Sequence, residues 1–102
     1  VTQNTALIYF TCFSNQLNSL DVTQNTALET LSCYDNQLTS LNISQNTALT
    51  NLSCLENLLS ALDLTQNTQL TQLRCQNNQL TSLDISQNNS LTLKADLPIS
   101  YV

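Results

Sequence analysis

Leucine returns along this chain at a fixed phase. Leu7, Leu28, Leu49, Leu70 and Leu91 share one step of 21 residues, and Leu17, Leu38, Leu59 and Leu80 keep the same step. Cys12, Cys33, Cys54 and Cys75 move with them, as do Asn15, Asn36, Asn57 and Asn78. Self-similarity at such a period marks a solenoid, in which each coil buries its apolar side by stacking on the next. Within one coil, Tyr9-Phe10-Thr11-Cys12-Phe13 alternates faces with period two. Phe10 and Cys12 turn inward, with Leu31 and Cys33, Leu52 and Cys54, and Leu73 and Cys75 as their equivalents. One short strand per coil, stacked at about 4.8 Å, predicts a parallel sheet with continuous leucine and cysteine columns beneath it.

The later half of each coil alternates again: Leu20-Asp21-Val22, Leu41-Asn42-Ile43, Leu62-Asp63-Leu64 and Leu83-Asp84-Ile85. A coil of 21 residues leaves no room for a long helix, so extended or short 3-10 segments are expected on its outer side. The array covers residues 1–91, as a partial coil 1–6 and then coils 7–27, 28–48, 49–69 and 70–90. Beyond it the frame breaks. Lys94 and Asp96 stand where an apolar residue and a cysteine are due, and Leu91, Leu93, Ala95, Leu97, Ile99 and Tyr101 alternate. Residues 91–102 are therefore expected to form a closing strand or C-terminal cap. The opening Val1-Thr2-Gln3-Asn4-Thr5-Ala6 matches Val22-Thr23-Gln24-Asn25-Thr26-Ala27, which leads us to expect a piece of a longer array.

Composition narrows the function. Charged residues are 9% of the chain, there is no Gly, Met, Trp or His, and net charge is −5, with Arg74 and Lys94 as the cations. Nucleic acid selects for clustered Lys and Arg, and so does an anionic membrane surface. No apolar run approaches the roughly 20 residues that cross a bilayer. Neither nucleic acid nor membrane insertion is expected.

Four cysteines suggest disulfides, metal or catalysis before anything else. Parallel strands would hold successive sulfurs in line at about 4.8 Å, too far and too straight for a disulfide or a zinc tetrahedron. Without His no Cys–His nucleophile pair can form. The cysteines are expected to be a core ladder, and Asn15, Asn36, Asn57 and Asn78 a second ladder that satisfies backbone groups where the chain leaves the strand. No cofactor, metal or catalytic residue is expected.

The frame Leu-x-x-Leu-x-Cys-x-x-Asn-x-Leu, as in Leu28, Leu31, Cys33, Asn36 and Leu38, resembles the leucine-rich repeat. With cysteine in place of the inner leucine it is similar to the internalin J type of bacterial surface protein, and to leucine-rich arrays in surface proteins of the Bacteroidetes. That resemblance implies a right-handed superhelix, and a secreted or cell-surface adhesion module that meets a protein or carbohydrate on a cell surface.

Three outward columns supply the ligand-binding candidates: Tyr9, Thr30, Asn51 and Gln72; Thr11, Ser32, Ser53 and Arg74; Phe13, Tyr34, Leu55 and Gln76. Three members of the last are large and apolar, as a binding surface needs, although aromatic cross-strand pairs also stabilise sheets. Glu29, Asp35 and Glu56 nearby favour a basic or apolar partner. A structural spacer or self-assembling fibre subunit is the alternative, with end-to-end association through the unguarded first coil. A third reading is ice or crystal-surface binding by the Thr/Ser/Asn outer face: Thr23, Thr26, Ser44, Thr47, Thr65, Thr68, Ser86 and Asn88. Those residues also serve as turn caps. Sequons occur at Asn42, Asn51 and Asn88, and Asp21, Asp63 and Asp84 form a column interrupted by Asn42, too few converging oxygens for calcium.

Overall fold

A computed structural model describes residues 3–92 and the backbone of a terminal strand at 100–101. The alternating segments form β1 (Tyr9–Thr11), β2 (Thr30–Ser32), β3 (Asn51–Ser53) and β4 (Gln72–Arg74), joined as a parallel sheet in the order β1-β2-β3-β4. The register is one coil throughout: Phe10 faces Leu31, Leu31 faces Leu52, and Leu52 faces Leu73. The ladder continues past the strands. Cys12 N–H donates to Ser32 O at 2.9 Å, Cys33 to Ser53 at 2.9 Å and Cys54 to Arg74 at 2.8 Å.

Parity decides burial. Leu31, Cys33, Leu52, Cys54 and Cys75 are buried in one core with Leu28, Leu38, Leu49, Leu59 and Leu70. Leu7, Phe10, Cys12, Leu17 and Leu20 of the first coil are only partly covered, because a coil gains half its burial from each neighbour.

The outer side combines extended chain with paired β-turns. Asn25 N–H donates to Val22 O at 3.0 Å and Leu28 N–H to Asn25 O at 3.2 Å, and this pair of bonds recurs at Asn46, Asn67 and Asn88. Of the two expected forms, extended chain is the one present; turns stand where a 3-10 segment was the other option, and no 3-10 run occurs among the described residues. Of the closing strand or C-terminal cap expected over residues 91–102, residues 93–99 lie outside the described residues. At its far end β6 (Ser100–Tyr101) pairs in parallel with β5 (Ser82–Leu83), on the return side of the last coil. No helix among the described residues is long and apolar enough to cross a membrane.

Candidate functional site

Beneath the sheet, two columns hold the coils in register. Asn57 Nδ2 donates to the carbonyls of Cys33 and Cys54, both at 3.1 Å, and of Leu55 at 3.2 Å, while its Oδ1 accepts from Leu38 N–H at 3.1 Å. Asn36 and Asn78 repeat this arrangement, with Oδ1 accepting from Leu17 at 3.1 Å and Leu59 at 2.9 Å. Asn15, exposed on the first coil, donates to Cys12 O at 2.8 Å and Phe13 O at 3.1 Å. All four cysteines are free thiols. Burial raises every thiol pKa: Cys33 rises to about 12, with Cys12 beside it adding to the effect, and Cys54, flanked by Cys33 and Cys75, is also pushed well up. Protonated buried thiols are poor nucleophiles and poor metal ligands. No group of three or more ligating side chains among the described residues could hold a metal ion.

A third ladder, on the outer side, escaped the sequence reading. Asn46 Nδ2 donates to Val22 O at 3.0 Å and Asn25 O at 2.8 Å; Asn67 to Ile43 and Asn46, both at 3.0 Å; Asn88 to Leu64 at 3.1 Å and Asn67 at 2.8 Å. These side chains are wholly buried. The signal was present, since Asn4, Asn25, Asn46, Asn67 and Asn88 never vary in phase. Their surroundings of Thr, Ser and Gln made them resemble exposed turn residues.

That arrangement changes the outer face. Asn88 does not belong to an exposed lattice, and its sequon is occluded. The hydroxyls of Thr23, Ser44, Thr65 and Ser86 donate locally, two residues back, to Asp21, Asn42, Asp63 and Asp84 at 2.6 to 2.7 Å. Thr5, Thr26, Thr47 and Thr68 remain as an exposed hydroxyl row. The same bonds, hydroxyl first and backbone N–H second, hold the carboxyls of Asp21, Asp63 and Asp84 below the ordinary carboxylate range.

The outward sheet face gathers the candidates as spaced. Tyr9, Thr11, Phe13, Gln72 and Arg74 are exposed; Thr30, Ser32, Tyr34, Asn51, Ser53, Leu55 and Gln76 are half-buried. Over the middle lies a shallow depression of about 170 Å³, bounded by Tyr9 at one end and Arg74 at the other, with Thr30, Ser32, Asn51 and Ser53 between. Arg74 is the only cation there, and it forms no ion pair among the described residues. Beside the depression runs the apolar column. Phe13 and Tyr34 stack with ring centroids 4.7 Å apart and planes 3° apart, and Phe13 keeps 45% of its surface exposed. Leu58, exposed where Asn15's coil carries Gln16 and the next carries Gln37, was not among the candidates.

Immediately after the apolar column the backbone turns left-handed. Ser14, Asp35, Glu56 and Asn77 have φ of 57°, 58°, 56° and 59°. Asp35 and Asn77 are residue types that tolerate this region, Ser14 and Glu56 are not, and no glycine is present to relieve them. The turn brings Ser14, Asp35 and Glu56 N–H onto the carbonyls of Tyr34, Leu55 and Gln76 at 3.1, 3.0 and 2.9 Å. It therefore fixes the apolar column in register.

Two solved structures are similar to this fold. One is the functional domain of InlJ from Listeria monocytogenes, which includes a cysteine ladder; it is 37% identical over 88% of this chain, with a TM-score of 0.86. The other is a leucine-rich-repeat protein of Leptospira interrogans, 36% identical over 88% of this chain, with a TM-score of 0.84. The chain spans only 20% and 25% of the lengths of those two. No family model matches the sequence, and no curated protein matches it significantly. The repeat frame, the sulfur column and the superposition agree: this chain is a leucine-rich-repeat solenoid of the cysteine-ladder kind, like the InlJ domain.

Proposed function

We propose that the chain is a non-catalytic binding module of a secreted or cell-surface protein, meeting a protein or glycan partner with the outward face of its sheet. The observation that carries this reading is the column Phe13, Tyr34 and Leu55, apolar and partly open to solvent, Phe13 most of all, on a face otherwise small and polar. Apolar anchors with a polar rim are the usual core of a recognition surface. The similar arrays come from bacterial proteins, which favours an exported setting.

The test compares the chain with its F13S/Y34S/L55S variant, coated on fluorescent beads, for attachment to epithelial monolayers, immobilised matrix proteins and arrayed glycans. Attachment lost with an unchanged circular dichroism spectrum is the expected result. Undiminished attachment would transfer the function to the spacer reading, which the coil-to-coil asparagine bonds favour. End-to-end association belongs to that second reading. It would run through the first coil, where Ile8 and Tyr9 are 54% and 63% exposed.

A further inference from the structure

We propose that Phe13, Tyr34 and Leu55, with the carboxylates of Asp35 and Glu56 beside them, receive a basic amphipathic α-helix from a protein partner. The proposal rests on the reading of the outward face given above and specifies its partner.

Pitch selects the helix. Stacked rings 4.7 Å apart mean that each coil offers one apolar side chain per 4.7 Å along the solenoid. Two coil steps, Phe13 to Leu55, span twice that, 9.4 Å. In an α-helix, residues three and seven positions along rise about 4.5 and 10.5 Å and stay on one face. Anchors at i, i+3 and i+7 therefore meet the three coils to within about 1 Å. An extended strand repeats on one face every 6.6 Å or so, and slips out of phase by the second coil. A polyproline helix repeats about every 9.3 Å; it would meet Phe13 and Leu55 and leave Tyr34 uncovered.

Charge selects the basic character. Asp35 and Glu56 each follow a member of the apolar column, are exposed, and occupy neighbouring positions of one column. Neither side chain forms a hydrogen bond or ion pair among the described residues. Two like charges one coil apart are relieved by partner cations, and lysines or arginines flanking the apolar stripe of a docked helix would lie over them. Arg74, the one cation on this face, stands a coil beyond Leu55 and leaves the strip uniformly acidic. An acidic glycan is disfavoured by the same field.

The test titrates the whole chain with a synthetic lysine-rich peptide carrying leucine at i, i+3 and i+7, and with a scramble of equal composition whose leucines circle the helix. Fluorescence anisotropy reads affinity, and amide chemical shifts read location. The patterned peptide is expected to bind, shifting Phe13, Tyr34 and Leu55. D35N/E56Q, whose replaced groups hold nothing in the fold, should weaken it about three- to tenfold, and D35K/E56K should weaken it further. Equal binding of the scramble, no binding at about millimolar peptide, or an unchanged affinity in D35N/E56Q would overturn the proposal. Capture of a proline-rich peptide or a neutral oligosaccharide on this strip instead would also overturn it while leaving the outward face as the recognition surface. Undiminished bead attachment by F13S/Y34S/L55S would bring down that broader reading instead.

Discussion

Replacing Asn57 with alanine should cost far more than the same change at Asn15, although both occupy one column. Asn57 Oδ1 receives the N–H of Leu38, a residue with no exposed surface. Removing that acceptor orphans a buried donor, at a cost of about 1–3 kcal/mol. The carbonyls of Cys33 and Cys54 lose one donor each yet keep another, from Asn36 at 3.0 Å and Asn78 at 3.0 Å. Their loss adds about 1 kcal/mol. The expected total is about 3 kcal/mol, or a fall in melting temperature of roughly 12–24 °C for a domain of this size. Asn15 is exposed and water can replace its two bonds, so Asn15→Ala should cost less than about 1 kcal/mol. Thermal unfolding of both variants measures the difference, and hydrogen exchange at Leu38 locates it. Equal costs at the two sites, or undiminished protection of the Leu38 amide in Asn57→Ala, would refute the view that satisfying buried backbone is what this column does.

Two further outcomes follow from the same interior. Cys33 has its pKa raised from 9.0 to about 12, so its contribution is complete below the unfolded value and is lost as pH rises through the folded one. At about pH 11 the loss is roughly 3 kcal/mol, and melting temperature between pH 9 and 11, taken in wild type and Cys33→Ala, should fall more steeply in wild type; parallel slopes would count against the buried-thiol account. At the left-handed column, Glu56→Asn replaces a residue poorly suited to φ 56° by one that tolerates it, and a gain of about 0.5–1 kcal/mol in urea unfolding is expected; a loss would show that the turn is not strained.

The inner architecture was legible because period-two alternation and a fixed step act on the same residues. Phe10 to Cys12 and Leu31 to Cys33 could face only one way once the coils stacked. The outer ladder was not legible, because burial of Asn46 and Asn67 depends on two turns closing in tandem around them, a property of the coil rather than of neighbouring residues. The left-handed column was hidden for the opposite reason. Glycine ordinarily announces such a turn, and here Ser14, Asp35 and Glu56 adopt it under the pull of inter-coil hydrogen bonds. The outward columns fell where alternation placed them; that Tyr34 and Leu55 are half-covered reflects stacking on their column neighbours.

Among the described residues, the side-chain bonds between coils point the same way. Asn25, Asn36, Asn46, Asn57, Asn67, Asn78 and Asn88 reach back to the backbone of the preceding coil, and so do the hydroxyls of Thr50, Thr71 and Thr92. The solenoid thus has a direction, the direction of synthesis. A coil leaving the ribosome carries its own fasteners and finds the groups they need already in place behind it. Shortening the array from its carboxyl end leaves every remaining fastener engaged, whereas shortening it from the amino end strands a set of them. A tandem duplication of one coil at any point would rebuild the same junction on both sides, so such an array can change length without redesign.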